Sequence, residues 1–163
     1  MPAKSPTLHL LCGKVASGKS TLAAKLAQQD TAIIIAEDVW LQALFSDQMT
    51  SIADYVRCSA KLREIIGPHI ASILNTGTSV VLDFQANTVQ ARSWMHSILE
   101  QTTALHKLHV LDTPDDVCLS RLRQRNAAGN HQFTPTQEQF HQLSKHFQMP
   151  ESHEGFDIVV HNP

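Results

Sequence analysis

Residues 13–20 read Gly-Lys-Val-Ala-Ser-Gly-Lys-Ser and fill every fixed position of the phosphate-binding pattern G-x-x-x-x-G-K-[ST]. An apolar run, Leu8 to Cys12, leads into this stretch, and a segment of good helix formers, Thr21 to Gln28, follows it. This pattern binds phosphate where a strand leads into a glycine-rich loop that is followed by a helix. The stretch therefore predicts a nucleotide site, and an incidental glycine-rich turn is the weaker interpretation.

The residues of this loop have distinct expected roles. Gly13 and Gly18 permit the curvature that points several backbone N–H groups and the positive end of a helix at an anion. A lysine at a helix start is electrostatically unfavourable without an anion, so Lys19 is expected to lie against the β- and γ-phosphates. The hydroxyl of Ser20 is expected to bind Mg²⁺. The full predicted nucleotide-binding set is Gly13, Lys14, Val15, Ala16, Ser17, Gly18, Lys19, Ser20 and Thr21.

Composition and charge restrict the class of protein. A chain of 163 residues with 42% hydrophobic and 17% charged residues is expected to fold as one domain over 1–163. Its formal net charge of -2 gives no general attraction to nucleic acid or to an anionic membrane. The 3 cysteines lie apart in apolar patterns, and we find no signal-like or membrane-spanning apolar run. These features predict a cytoplasmic protein without a membrane anchor.

Apolar runs alternate with helical patterns along the chain. Strands are expected at 8–12, 31–36, 79–83, 105–111 and 156–160. Most of the segments between them have helical periodicity, and Gly67-Pro68 is expected to break or kink the long helical segment at 50–76. Thr113 is expected to cap the helix after the fourth strand, with Pro114 at its first position. Strands alternating with helices of this length predict a parallel sheet with right-handed crossovers.

Carboxylates stand at the carboxyl ends of two predicted strands, where open α/β sheets bind ligands. Asp83 stands at the carboxyl end of the third strand and is expected to hold Mg²⁺ directly or through water, with a simple turn role as the alternative. Asp38 follows the second strand and is the candidate base for an acceptor hydroxyl, with helix capping as the alternative. Glu37 competes for the role of base, and alternation along a strand predicts that only one of the two acids faces the cleft.

Residues 117–137 contain no Asp or Glu and include Arg121, Arg123 and Arg125. Helical spacing puts Arg121 and Arg125 beside an apolar stripe, while Arg123 points away. Such arginines suit a phosphate, although side chains reaching out from the rim of the core explain them too. The segment 126–135 that follows is expected to form a lid that excludes water during phosphoryl transfer.

Five stretches of the sequence carry a resemblance to a known group of proteins. They are GKVASGKST (13–21), AEDVWLQAL (36–44), VVLDFQANT (80–88), LDTPDDVCLSRLRQRN (111–126) and EGFDIVVH (154–161). The chain resembles small P-loop kinases such as zeta toxins, chloramphenicol phosphotransferases and polynucleotide-kinase-like proteins, and in particular bacterial proteins known only as AAA-family ATP-binding proteins. The resemblance implies a P-loop NTPase fold with three α/β/α layers, a mainly parallel five-stranded sheet and a helical lid.

The resemblance also implies an activity, which is ATP-dependent phosphorylation of a hydroxyl group with Mg²⁺. Lys19 and Asp38 would then be catalytic, with Asp38 as the base, Lys19 and Ser20 would bind the nucleotide, and two lid arginines would assist. Those arginines are Arg121, which also contacts the nucleotide, and Arg125. Asn87 and Arg92 would be acceptor-side or phosphate contacts. With Glu37 and Asp38 from the strand end, they complete the expected substrate-binding set.

We expect the acceptor to be a small molecule and the protein to be a monomer or homodimer without nucleic-acid or membrane partners. Two alternatives stay open. A nucleic-acid 5′-hydroxyl kinase would need a basic track with stacking aromatics, of which Tyr55, Arg57, Lys61 and Arg63 are a thin version. A nucleotide-dependent regulatory or toxin-like protein would bind ATP without a small-molecule acceptor.

Overall fold

A parallel sheet of five strands forms the middle of the structure, a computed structural model that describes residues 4–129 and 135–162. The strands are β1 (Thr7–Cys12), β2 (Ile33–Ala36), β3 (Val80–Gln85), β4 (Leu105–Leu111) and β5 (Ile158–His161). They lie in the order β2-β3-β1-β4-β5, and every neighbouring pair is parallel. The strand that leads into the glycine-rich loop is therefore central, with the order of the sheet reversing around it. Such a switch point is where α/β sheets bind ligands.

Helices connect the strands and cover both faces of the sheet. They are α1 (Lys19–Asp30), α2 (Glu37–Phe45), α3 (Ile52–Asn75), α4 (Val89–Leu99), α5 (Asp115–Ala128) and α6 (Gln137–Lys145), with short 3₁₀ turns at Ser46–Gln48 and Ser152–Glu154. Across the described ranges, no helix combines the length and the apolar character needed to span a membrane.

The side chains of the central strand alternate between two apolar clusters. Leu8 and Leu10 pack in the larger cluster, which includes residues of α3 and α4. Leu11 faces the opposite side and packs with Ala23 and Leu26 of α1. Because both faces of the sheet are covered, its central strands read as continuous apolar runs in the sequence. The predicted α/β class with a parallel five-stranded sheet is confirmed.

The expected lid falls partly outside the described residues. Helix α5 continues to Ala128, and the left-handed Gly129 follows it with φ 65°. Residues 130–134 are not among those the structure describes, so the lid at 126–135 stays a prediction.

Of the break or kink expected at Gly67-Pro68, the break is wrong, because α3 runs without interruption from Ile52 to Asn75. Pro68 costs the helix one hydrogen bond, a penalty of about 3 kcal/mol. The residues around it offset that cost by packing, since Ile66 and Gly67 are buried. A Cβ atom at Gly67 would lie 3.4 Å from Nε1 of Trp94 on α4, so glycine also allows the two helices to approach closely. Burial along a long helix therefore outweighs one internal proline.

Candidate phosphate-binding and catalytic site

The loop between β1 and α1 makes a tight turn that leaves the start of α1 open. Ala16 and Gly18 are both left-handed, with φ values of 62° and 106°, and the N–H of Ser17 donates to the carbonyl of Lys14 at 3.1 Å. A Cβ atom at Gly13 would collide with the hydroxyl of Ser17, which explains the glycine at that position. The first turn of α1, beginning at Lys19, thus presents free N–H groups and a positive helix end to an anion.

Lys19 is buried inside this loop. Its ammonium group donates to the carbonyl oxygens of Gly13 at 2.5 Å and Lys14 at 3.0 Å. Burial lowers the pKa of Lys19 to about 8, although the negative charge of Asp83 opposes that shift. A buried ammonium held by two carbonyl oxygens is well placed to exchange them for an anionic phosphate.

Ser20 and Asp83 meet beside the lysine. The Ser20 hydroxyl donates to Oδ2 of Asp83 at 3.0 Å. Asp83 lies within β3, which continues two residues beyond the expected strand end, to Gln85. Hydroxyl and carboxylate oxygens are ligands that Mg²⁺ accepts, often with water completing its octahedral shell. The pair therefore fits the metal role predicted for it.

Glu37 and Asp38 form the first turn of α2, directly after β2 ends at Ala36. Successive helical residues are turned by about 100° rather than 180°, so the two side chains leave the helix in different directions. Glu37 is 4% exposed and accepts hydrogen bonds from Tyr55 at 2.6 Å, Ser59 at 3.3 Å and Arg63 at 3.4 Å. The hydrogen bonds of Glu37 thus link α2 to α3.

Asp38 has different surroundings from its neighbour and remains accessible to solvent. The backbone places it near the loop, because Ala36, two residues before it, pairs with Asp83 in the sheet and Asp83 accepts a hydrogen bond from Ser20. Partial burial raises the pKa of Asp38, and the charges of Glu37 and Asp83 raise it further, while Lys19 lowers it. A carboxylate with a raised pKa beside a phosphate loop has the character of a general base.

Helix α5 packs against the loop through its first turns. Arg121 Nη1 donates to the carbonyl of Ser17 at 3.1 Å, and the Thr113 hydroxyl donates to the same carbonyl at 3.0 Å. The predicted cap at Thr113 is therefore wrong, because α5 starts at Asp115 and the Thr113 hydroxyl binds the loop instead. Arg125 lies one turn beyond Arg121 and is half-buried. Lys14 pairs with Asp115 at 2.8 Å, which adds a second link between loop and helix.

Two residues expected on the acceptor side are used within the protein. The side chain of Asn87 binds the backbone of Gly13 through both its oxygen and its nitrogen. Arg92 is fully buried, and its guanidinium donates to Glu154 at 2.7 Å and to the carbonyls of Ala86 at 2.9 Å and Gln148 at 2.8 Å. The structure does not leave Arg92 free for a substrate. The partner residues Glu154 and Gln148 were not predicted, and no local sequence signal pairs them with positions about sixty residues away.

The fold and this loop together define the class, which is a P-loop protein with a kinase-like fold. Residues 8–150 match the AAA_33 family, described as an AAA domain, and the chain belongs to that family. No curated protein matches the chain.

Solved structures with the same fold include several kinases. A kinase candidate from Chloroflexus aurantiacus J-10-fl superposes with a TM-score of 0.78 at 17% identity, over 98% of this chain and 89% of the other. The APS kinase of Mycobacterium tuberculosis, solved with AMPPNP and APS, gives a TM-score of 0.67 at 19% identity over 99% and 90%. A gluconokinase from Sinorhizobium meliloti 1021 gives 0.65 at 16% identity over 98% and 83%. At these identities the likeness concerns the fold.

Proposed function

We propose that this protein is an ATP-dependent phosphotransferase that transfers the γ-phosphoryl group of ATP to a hydroxyl of a small molecule. One observation carries the proposal. Asp38 is an accessible carboxylate with a raised pKa, and it lies within electrostatic range of Lys19 in the phosphate loop. The sheet supports this placement, because Ala36, two residues before Asp38, pairs with Asp83, and Asp83 accepts a hydrogen bond from Ser20. A donor site and a candidate base for an acceptor therefore lie at the same edge of the sheet.

The residues of the site divide the reaction between them. Backbone N–H groups of 15–20 and the Lys19 ammonium would bind the phosphates. Ser20 and Asp83 would hold Mg²⁺, which supplies positive charge for the β- and γ-phosphate oxygens. Asp38 would accept the proton of the acceptor hydroxyl while the hydroxyl oxygen bonds to the γ-phosphorus. The bond between the γ-phosphorus and the oxygen bridging to the β-phosphate then breaks, which releases ADP. Arg121, and Arg125 one turn further along α5, would offset charge on the transferring group.

The comparisons support a kinase and leave the acceptor unnamed. The APS kinase and the gluconokinase share this fold and take different acceptors by their names, so the fold does not select a substrate. The narrower relationship to zeta toxins, chloramphenicol phosphotransferases and polynucleotide-kinase-like proteins rests on the five sequence stretches and is part of the proposal. So are a cytoplasmic location and a monomeric or homodimeric state.

The contacts of the basic track argue against a nucleic-acid acceptor. Arg57 pairs with Asp54 at 2.8 Å, and both Arg63 and Tyr55 bind Glu37. Side chains engaged in this way are poorly placed to follow a phosphate backbone or to stack on bases. We therefore favour a small-molecule acceptor over an oligonucleotide.

A labelled-phosphate screen tests the proposed function. Wild-type protein and the Lys19→Ala variant are incubated with γ-labelled ATP, Mg²⁺ and a fractionated metabolite extract, and products are separated by chromatography. We expect label on a small molecule with the wild type and none with Lys19→Ala, while circular dichroism shows the same fold for both. Equal labelling by the two proteins would refute the assignment, and slow ATP hydrolysis that no fraction stimulates would favour the regulatory alternative.

A further inference from the structure

We propose that Asn87 is a positioning residue for the phosphate loop, and that it acts by fixing the backbone of Gly13 rather than by contacting the acceptor. The inference deepens the proposed function, since it rests on the loop at 13–20 being a nucleotide site. It replaces the acceptor-side role that the sequence resemblance implies for this asparagine.

The side chain of Asn87 makes a reciprocal pair of hydrogen bonds with one residue. The Gly13 N–H donates to Oδ1 of Asn87 at 2.9 Å, and Nδ2 of Asn87 donates to the Gly13 carbonyl at 2.8 Å. Only one orientation of the amide satisfies both bonds, so the contacts themselves assign its oxygen and nitrogen. A planar amide held at two points fixes the peptide groups on both sides of the first loop residue.

The Gly13 carbonyl is also one of the two oxygens that hold Lys19 in the free protein, at 2.5 Å. When Lys19 turns to a phosphate, this carbonyl loses its charged donor. Asn87 then supplies the remaining hydrogen bond and keeps the carbonyl dipole directed away from the anion. Without that bond, a partly buried oxygen would be left unpaired next to negatively charged phosphates.

Asn87 is itself held in place by its neighbours. The Gln148 N–H donates to the Asn87 carbonyl at 2.8 Å. Arg92 binds the carbonyls of Ala86 and Gln148 and pairs with Glu154, so one buried guanidinium joins the turn after β3 to the segment before β5. The amide is therefore presented to Gly13 from a rigid support, as a positioning residue requires.

Two variants of Asn87 and two controls test the inference. Asn87→Ala removes both bonds, whereas Asn87→Asp keeps an acceptor for the Gly13 N–H but sets a carboxylate against the Gly13 carbonyl. Gln148→Ala removes a neighbouring side chain that accepts from the Val89 N–H at 2.9 Å, without touching Gly13. Asn75→Ala removes an exposed amide on α3, away from the loop. For each protein we measure the Kd of a fluorescent N-methylanthraniloyl-ATP with Mg²⁺, the Tm, and the exchange rate of the Gly13 amide by NMR.

For Asn87→Ala we expect the probe Kd to rise about tenfold, since two hydrogen bonds to the loop are lost. Asn87→Asp should bind the probe more weakly still, because the substitution adds negative charge beside the phosphates. The Gly13 amide should exchange faster in Asn87→Ala and keep its protection in both controls, whose Kd values should match the wild type.

Two results would overturn the inference. One is an unchanged probe Kd together with a protected Gly13 amide in Asn87→Ala. The other is an equal loss of affinity in Gln148→Ala, which would show that Asn87 acts only through general stability. A wild type that fails to bind the probe would refute the proposed function instead, and the Gly13 exchange rates would still decide whether Asn87 holds the loop.

Discussion

The hydroxyl of Ser20 lies 3.0 Å from a carboxylate oxygen of Asp83, and this hydrogen bond joins the first turn of α1 to β3. The two residues are 63 positions apart in the chain. They meet because β3 pairs in parallel with β1, which places the carboxyl end of β3 next to the loop that β1 enters. The pair places a hydroxyl and a carboxylate oxygen at the edge of the sheet where the phosphates would lie.

Substitution of Asp83 by Asn should weaken the effect of Mg²⁺ on ATP binding. The amide keeps an acceptor for the Ser20 hydroxyl but loses the charge that favours a divalent cation. We expect the affinity for ATP with Mg²⁺ to fall by about 10- to 100-fold, the range seen when groups that support a metal are changed. Titration calorimetry with and without EDTA measures this, and an Asp83→Asn variant whose response to Mg²⁺ is unchanged would exclude the metal role.

The pH dependence of ATP affinity should follow Lys19. Its pKa is lowered to about 8 in the free protein, and bound phosphates would raise it again, so binding above that pH requires uptake of a proton. Affinity should be full below about pH 8 and should fall by up to tenfold per pH unit above it. Calorimetry in buffers of different ionisation enthalpy detects the proton uptake. A Lys19→Met variant should bind weakly without this pH dependence.

The same lysine predicts an opposite effect on stability. The unfolded chain holds the Lys19 proton up to its ordinary value of 10.5, so between about pH 8 and 10.5 the unfolded state binds more protons than the folded state. Because of Lys19, the free energy of unfolding of the protein without ATP therefore increases as the pH rises through that window. Comparing the Tm of wild type and Lys19→Met across the window isolates the contribution, and identical profiles would contradict it.

Arg92 should contribute to the stability of the fold rather than to substrate binding. Arg92→Ala leaves Glu154 without its buried partner and frees two backbone carbonyls, so we expect a loss of about 3–5 kcal/mol in urea unfolding. The double variant Arg92→Ala, Glu154→Ala should recover part of this loss because it removes both charges. If Arg92→Ala unfolds like the wild type and only weakens acceptor use, the acceptor-side role expected from the sequence is right after all.

Asp38 and Glu37 should separate cleanly in activity. Asp38→Asn should retain ATP affinity and lose phosphoryl transfer by about 10²- to 10⁴-fold, the usual contribution of a general base. Glu37→Gln should keep transfer but lower stability by about 1–3 kcal/mol, since Tyr55 and Arg63 lose a charged acceptor. For both variants we measure phosphoryl transfer to any acceptor found in the extract, together with unfolding in urea. These two measurements distinguish a base from a structural residue. The reverse pattern would make Glu37 the base.

Features with a local signal could be predicted from the sequence. The loop at 13–20, the strands and the position of Asp83 follow from a motif and from apolar runs that need no distant partner. Parallel strands bring their carboxyl ends to one edge, which is why Ser20 and Asp83 could be expected together. The continuity of α3 through Pro68 could not be expected, because the packing that offsets a proline comes from another helix.

Contacts between side chains that lie far apart in the chain could not be predicted from the sequence. Asn87 reaches Gly13 across 74 positions and Arg92 reaches Glu154 across 62, and neither pair has a characteristic spacing. The same holds for three histidines, His9, His109 and His161, whose rings form a chain of 2.9 Å hydrogen bonds across β1, β4 and β5. That chain depends on the order of strands in the sheet, which a single sequence does not specify.

Binding of Mg-ATP to the wild type and to Lys19→Ala is a direct test of the donor site, because it needs no knowledge of the acceptor. We expect one ATP per chain for the wild type in titration calorimetry. In a Lys19→Ala variant with unchanged circular dichroism, the affinity should be lowered by about 100-fold or more, since a charged contact to phosphate is lost. A wild type that does not bind ATP, or a Lys19→Ala variant that binds it equally well, would contradict the assignment of residues 13–20 as the donor site.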